Sequence, residues 1–199
     1  MILVTDLQYF SSIIYYKELS KFSYCLLDQY DYHRKMSFRN RCTLSGANGT
    51  VNLSIPLLGG RNQKSIAKEV KIENKDKWQA RHWKTIVSCY NKSPWFDHYR
   101  DDLNVLYSKN YDYLFEWNIA CMKWVCDKMS LKTVISLNES YTKTYDPTAF
   151  DDQRNRYLPA TISKITLSAD RYPQVFEERS GFIPNLSILD KLFCAGNIL

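Results

Sequence analysis

Ser37-Phe38-Arg39-Asn40-Arg41-Cys42-Thr43-Leu44-Ser45, then Gly46-Ala47-Asn48-Gly49, then Thr50-Val51-Asn52-Leu53-Ser54-Ile55-Pro56-Leu57-Leu58, is the stretch that decides how the first half of the chain is read. Two strand-like runs flank a turn rich in Gly and Asn. In the second run Val51, Leu53 and Ile55 alternate with Asn52 and Ser54, the period of a half-buried strand. The spacing and the Asn-Gly dipeptide predict a hairpin with a four- or five-residue loop. Pro56 ends regular pairing, because proline cannot donate to a ladder. Alternate strand residues share a face, so Ser37, Arg39 and Arg41 are expected on one side and Phe38, Asn40 and Cys42 on the other. Two arginines on one face would form a fork for carboxylate or phosphate. A solvated, charged strand face is the plainer reading.

On the N-terminal side, residues 2–5 and 24–27 are short apolar runs, the second ending at Asp28. Residues 9–19 between them can form a helix with Ile13 and Tyr16 inward. Residues 66–72, with Val70 and Ile72 on one face, predict a further strand. The middle is helical. With Asn74 as N-cap, Trp78, His82, Ile86 and Cys89 follow at helical spacing. Ser93-Pro94 starts a second helix carrying Phe96, Tyr99, Leu103 and Leu106, and residues 111–129 form a third. Residues 133–137 and 162–167 then read as strands, residues 145–159 as a polar loop, and residues 186–193 as a helix stopped by Gly196. The expected architecture is α+β or mixed α/β over residues 1–199. It has a strand-rich first half, a helical subdomain at about 75–129, C-terminal strands and a helix, and one core.

Composition narrows the function. The net charge of +6 is concentrated in residues 1–100, with 16 Lys and Arg against 8 Asp and Glu; residues 101–199 hold 11 against 13. A basic first half favours an anionic partner, such as a nucleotide sugar, a nucleic acid or a membrane surface. Nucleic acid is disfavoured, since no helix-turn-helix, zinc-finger or RRM signature is present. No 18-residue apolar run spans a membrane. The N-terminus reaches Asp6 without a basic leader and reads as a first strand, which suggests a cytoplasmic protein. Six cysteines lie in apolar surroundings with no C-x-x-C pair, so buried reduced thiols are expected. The 15 tyrosines suggest a cleft or interface as well as a core.

Three candidate constellations stand out. His82, between Trp78 and Trp83, could act as a general acid or base, or could simply hydrogen-bond a buried carbonyl. Asp28, Tyr32 and His33 follow an apolar strand, where site residues gather in sheet folds. Arg39 and Arg41, with Lys35 near them, form the basic run. The three histidines, at 33, 82 and 98, have no ligand spacing, so no metal is indicated. There is no G-x-S-x-G elbow and no Gly-rich phosphate loop, and nothing names a cofactor.

Several blocks carry a resemblance. They are Asp28-x-x-x-x-His33-x-Lys35-x-x-Phe38-Arg39-Asn40-Arg41, Gly49-x-x-x-Leu53-x-Ile55-Pro56, and Trp78-x-x-x-His82-x-x-x-Ile86-x-x-x-Tyr90-x-x-x-Pro94-x-Phe96. Near the end come Tyr172-x-Gln174-Val175-Phe176 and Gly181-Phe182-Ile183-Pro184-Asn185-Leu186-Ser187-Ile188-Leu189-Asp190. Together they resemble the WbqC-like protein family of bacteria, in particular its shorter members. Many longer relatives have Gln-Pro before an aromatic where this chain has Leu7-Gln8-Tyr9-Phe10. The family takes its name from an O-antigen cluster product, and the resemblance implies an enzyme of surface-polysaccharide synthesis. Group transfer to a nucleotide-linked amino sugar is the implied reaction. On that reading His82 is the general base, with Asp28 and His33 as catalytic partners. Lys35, Arg39, Asn40, Arg41, Tyr90 and Asn185 bind substrate. A non-catalytic protein that binds an anionic ligand or a pathway partner is the alternative. Neither the substrate nor the oligomeric state is legible.

Overall fold

The computed structural model describes residues 1–60, 62–165 and 171–197. Four short strands, β1 (Ile2–Thr5), β2 (Tyr24–Leu27), β5 (Val134–Leu137) and β6 (Phe150–Asp152), make a wholly parallel sheet in the order β5-β2-β1-β6. Helix α1 (Ile13–Leu19) carries the chain from β1 to β2. The inner strand β1 buries Leu3 and Val4 almost completely, as a parallel strand covered on both faces should. Its continuous apolar run comes from that position.

Between β2 and β5 lies a long excursion. It holds the antiparallel hairpin of β3 (Arg41–Gly46) and β4 (Gly49–Ser54), then α2 (Trp78–Tyr90), α3 (Phe96–Ser108) and α4 (Leu114–Lys128). Two short C-terminal helices, α5 (Glu177–Ser180) and α6 (Ile188–Ala195), follow β6. One apolar cluster joins sheet, hairpin and helices, with Tyr9, Trp78, Tyr90, Phe96, Trp117 and Phe193 each at most 1% exposed. The mixed α/β reading holds.

Several local expectations differ. The hairpin loop is Ala47-Asn48 alone, because Gly46 pairs with Gly49. A Cβ on Gly46 would stand 2.5 Å from Val51 Cγ2, so glycine lets the two arms close tightly. Strand β3 begins at Arg41. Residues 37–40 form turns instead, with Ser37 Oγ donating to Arg34 O at 2.6 Å and Phe38 O accepting from Tyr9 N. Residues 66–72 form a 3-10 turn (Ala67–Glu69) with isolated bridges from Ile66, Lys71 and Ile72. The supposed loop 145–159 contains β6, which is too short and acidic to show a period. Residues 162–164 form a 3-10 turn, and residues 166 and 167 lie outside the described residues. Lys77, not Asn74, precedes α2; Asn74 instead accepts the Trp78 indole N–H and donates to Tyr111 O. Helix α3 starts at Phe96 rather than at Pro94.

Candidate functional site

Each of the four parallel strands is followed, at its carboxyl end, by a polar residue. Asp6 follows β1, Asp28 follows β2, Asn138 follows β5, and Gln153, Arg154 and Asn155 follow β6. The register brings these ends together, because all four strands run the same way. The chain steps from β1 through β2 to β5 on one side, then returns as β6 on the other side of β1. In open parallel sheets such a reversal opens a crevice at the carboxyl edge, where ligands bind.

The residues there form one hydrogen-bonded network. Asp28 Oδ1 accepts from the backbone N–H of Tyr30 and Asp31 and from Asn138 Nδ2, at 2.8–3.0 Å. Its Oδ2 accepts from Arg154 Nη1 at 2.7 Å. Arg154 also pairs with Asp152, donates to Thr142 O and Lys143 O, and lies over the Tyr145 ring at 4.9 Å. Its hydrogen bonds to Asp152 and Asp28 hold its pKa above the usual arginine range despite burial. Asp6 Oδ1 accepts from Asn155 N at 2.7 Å and Oδ2 from Gln8 Nε2 at 3.1 Å. Asn155 adopts φ +58°, a left-handed conformation that asparagine tolerates better than most residues.

Arg39 closes the cluster. It is 3% exposed and donates to Tyr32 O, Asp31 Oδ2 and Asn155 Oδ1, with Asp6 Oδ2 at 3.6 Å from Nε. Burial raises the Asp31 pKa, but the charge and hydrogen bond of Arg39 outweigh it and leave the carboxyl below its usual range. His33 is 8% exposed and its Nδ1 is buried without a partner. Burial, then the charge of Arg39, lowers its pKa to about 4, so the ring is neutral near pH 7. Asp31, Tyr141, Lys143, Asp152, Arg154 and Asn155 line a pocket of about 340 Å³ over this edge.

Of the residues singled out in the sequence, Asp28, His33 and Arg39 come together here. The expected Arg39–Arg41 fork does not form: Arg39 is turned into the interior by its carboxylate partners, while Arg41 stays half-buried on β3 opposite Ser54. Lys35 is exposed on the preceding turn. Asn40 Nδ2 donates to Ile55 O at 3.0 Å and ties the hairpin base. Asn185, at φ +56°, donates to Ile162 O.

His82 and Tyr90 sit on α2 beneath the hairpin. His82 Nε2 lies 3.2 Å from Ser54 O and must donate to it, since a carbonyl only accepts; Nδ1 then accepts from Tyr9 O–H at 3.0 Å. Burial lowers the His82 pKa to about 4. Tyr90 O–H donates to Asp190 at 2.7 Å and accepts from Ser45 N at 3.0 Å. Asp190, fully buried, is also held by Tyr172 and Gln174, and burial raises its pKa.

Sequence reasoning missed Asp6, Asp31, Asn138, Asp152, Arg154 and Asn155. The signal for two of them, Asp6 and Asn138, was the polar residue that ends an apolar run, used only at Asp28. Among the described residues no group of three His, Cys, Asp or Glu stands together to hold a metal ion. All six cysteines are free, and five are buried. The turn from β1 to α1, residues 6–12, has no glycine and is buried throughout, so it is no phosphate-cradling loop.

Strand order and the polar crevice define a mixed α/β protein with a polar carboxyl edge on its parallel sheet. The profile of the WbqC-like protein family matches residues 7–156 of the 199, and the chain belongs to that family. The matched residues contain the hairpin, all three long helices and β2, β5 and β6; the C-terminal blocks of the resemblance lie beyond them. No curated protein and no solved structure matches the chain. No helix among the described residues is long and apolar enough to cross a membrane.

Proposed function

We propose that this chain binds a sugar bearing an amino group at the carboxyl edge of its parallel sheet and supports group transfer to it during bacterial surface-polysaccharide assembly. The convergence of Asp6, Asp28, Asn138 and Arg154-Asn155 from four strand ends carries the reading. Both arginines are already paired with carboxylates, so the edge offers a phosphate no pair of free guanidiniums. The carboxyl groups of Asp31 and Asp152 suit hydroxyl and ammonium donors instead. Lys143 is the lining cation that would meet the phosphate of a nucleotide-linked sugar. Asp31, which lines the pocket, is the carboxyl group that would accept a proton at this edge, and His33, with its Nδ1 buried, is not among the lining residues. His82 takes no chemical role in this reading, since both its nitrogens are engaged by Tyr9 and Ser54. The saturation of the network within the protein favours one rival, a rigid binding protein without turnover.

Thermal melts with glucosamine, uridine diphosphate and uridine-diphosphate-linked N-acetylglucosamine test the site, using wild type and a Tyr141→Ala/Lys143→Ala double variant. Both residues are exposed, so the fold should survive. A ligand at about 100 times its Kd stabilises by ~2.7 kcal/mol. A wild-type shift that the double variant loses is expected. Absence of any shift, or one the variant keeps, sinks the reading. A shift without turnover in the presence of acyl donors leaves the binding protein.

A further inference from the structure

A second pocket, of about 400 Å³, lies between the start of α2 and the end of α3 and shares no residue with the sheet-edge site. Trp83 and Tyr107 line it on one side, and Asn74, Gln79, Asn104, Ser108 and Asn110 supply amides and a hydroxyl. Most pockets that take small molecules combine an aromatic wall with a few placed polar groups. Here the polar groups are almost all uncharged. The charged side chains at its rim, Asp76 and Lys77, are of opposite sign.

Core aromatics hold the indole of Trp83 in place, with Phe96 stacked at 6.3 Å and Tyr107 at 6.1 Å between centroids. Tyr107 is anchored in turn, because its hydroxyl is hydrogen-bonded to that of Tyr9 in the core. The amides divide into two kinds. Asn74 spends both ends on Trp78 and Tyr111, and the Gln79 amino group donates to Lys109 O. The side chains of Asn104 and Asn110 are exposed and make no hydrogen bond to any described residue. A rigid indole beside two uncommitted amides is the observation that matters.

We propose that this pocket is a saccharide subsite, with a neutral or N-acetylated pyranose packed on Trp83 and hydrogen-bonded by Asn104 and Asn110. The C–H face of a pyranose is apolar and matches an indole, while an amide offers a donor and an acceptor side by side to neighbouring hydroxyls. The absence of a surplus charge at the rim argues against a phosphorylated ligand. The pocket is open to solvent, as suits a site that grips one unit of a longer glycan. The inference goes beyond the function proposed above and does not depend on it.

The test is an NMR titration of the indole N–H signals with N-acetylglucosamine, glucose and uridine, each to about 50 mM, a range that covers millimolar dissociation constants. Wild type is compared with Asn104→Ala/Asn110→Ala, whose melting temperature should be unchanged because neither amide has a protein partner. Saturable movement of the Trp83 signal with either sugar is expected, with affinity reduced about tenfold or more in the double variant. No saturation with either sugar, a response to uridine alone, or equal affinity in the variant overturns the proposal. The Tyr141→Ala/Lys143→Ala variant should titrate like wild type, so failure here and failure at the sheet edge are told apart.

Discussion

A histidine can be chosen for its charge or for its shape, and His82 serves here by shape. Its ring is clamped between a backbone carbonyl of β4 and the hydroxyl of Tyr9, with Trp78 edge-on at 5.2 Å. His82→Ala would take the donor from Ser54 O and leave the Tyr9 hydroxyl with Tyr107 as its one partner, at a cost of about 1–3 kcal/mol. His33 is neutral for the same first reason, burial, reinforced by the charge of Arg39. Both rings titrate at about 4 in the fold, against about 6.5 in an unfolded chain. The unfolded state therefore binds more protons between these values. Stability is full above about pH 6.5 and falls as pH drops toward 4. Chemical denaturation across that window should show the fall, and His33→Gln and His82→Gln should each flatten it. An unchanged slope in both variants would disprove the assignment. At this scale the sequence could nominate His82 but could not choose between its two readings, because its partners come from residues 9 and 54.

Among elements, the hairpin and α6 are tied together through α2 and the segment that leads into α6. Helix α2 pins the hairpin at two points, His82 to Ser54 on β4 and Tyr90 to Ser45 on β3. The segment leading into α6 holds it from the other side, with Ser187 N donating to Thr43 O and Asp190 accepting from Tyr90. Ser187 is the N-cap of α6: its Oγ accepts from Leu189 N at 3.3 Å and donates to Phe10 O at 2.7 Å. Ser187→Ala removes both bonds and should cost about 1–2 kcal/mol, read as a lower melting temperature with unchanged helical circular dichroism. A change within error would show that the cap carries no weight. Gly196, at φ +79°, ends the same helix, and a Cβ there would meet the Trp95 ring at 3.1 Å. The Gly196 stop was legible, since glycine at a helix limit follows from unpaired backbone groups, whereas the sequence reading starts the helix at Leu186 and puts Ser187 inside it. The starts of β3 and α3 were not legible. Arg39 left its strand for buried carboxylates, and the Ser93 hydroxyl donates back to Tyr90 O instead of capping a helix.

Across the whole molecule, the ion pair of Asp28 and Arg154 joins strand ends 126 residues apart. Asp28 is fully buried and Arg154 nearly so, and removing one partner of a buried pair leaves an uncompensated charge. Arg154→Met should cost about 3–5 kcal/mol in chemical denaturation, with Asp28→Asn/Arg154→Met less damaging than the two single losses added together. Additive losses would mean that the two groups act independently. The chain's own residues determined a good deal: the apolar runs of β1 and β2, the hairpin, three amphipathic helices, the Gly196 stop of α6 and the family blocks within residues 28–96. Each of these rests on a short-range period or a local backbone requirement. The tertiary structure alone decided that β6 exists, that Arg39 faces inward, and that Asp6, Asp28, Asn138 and Arg154 share one edge. Parallel pairing joins segments with no local signal of each other, so only the assembled sheet brings those strand ends within hydrogen-bonding reach.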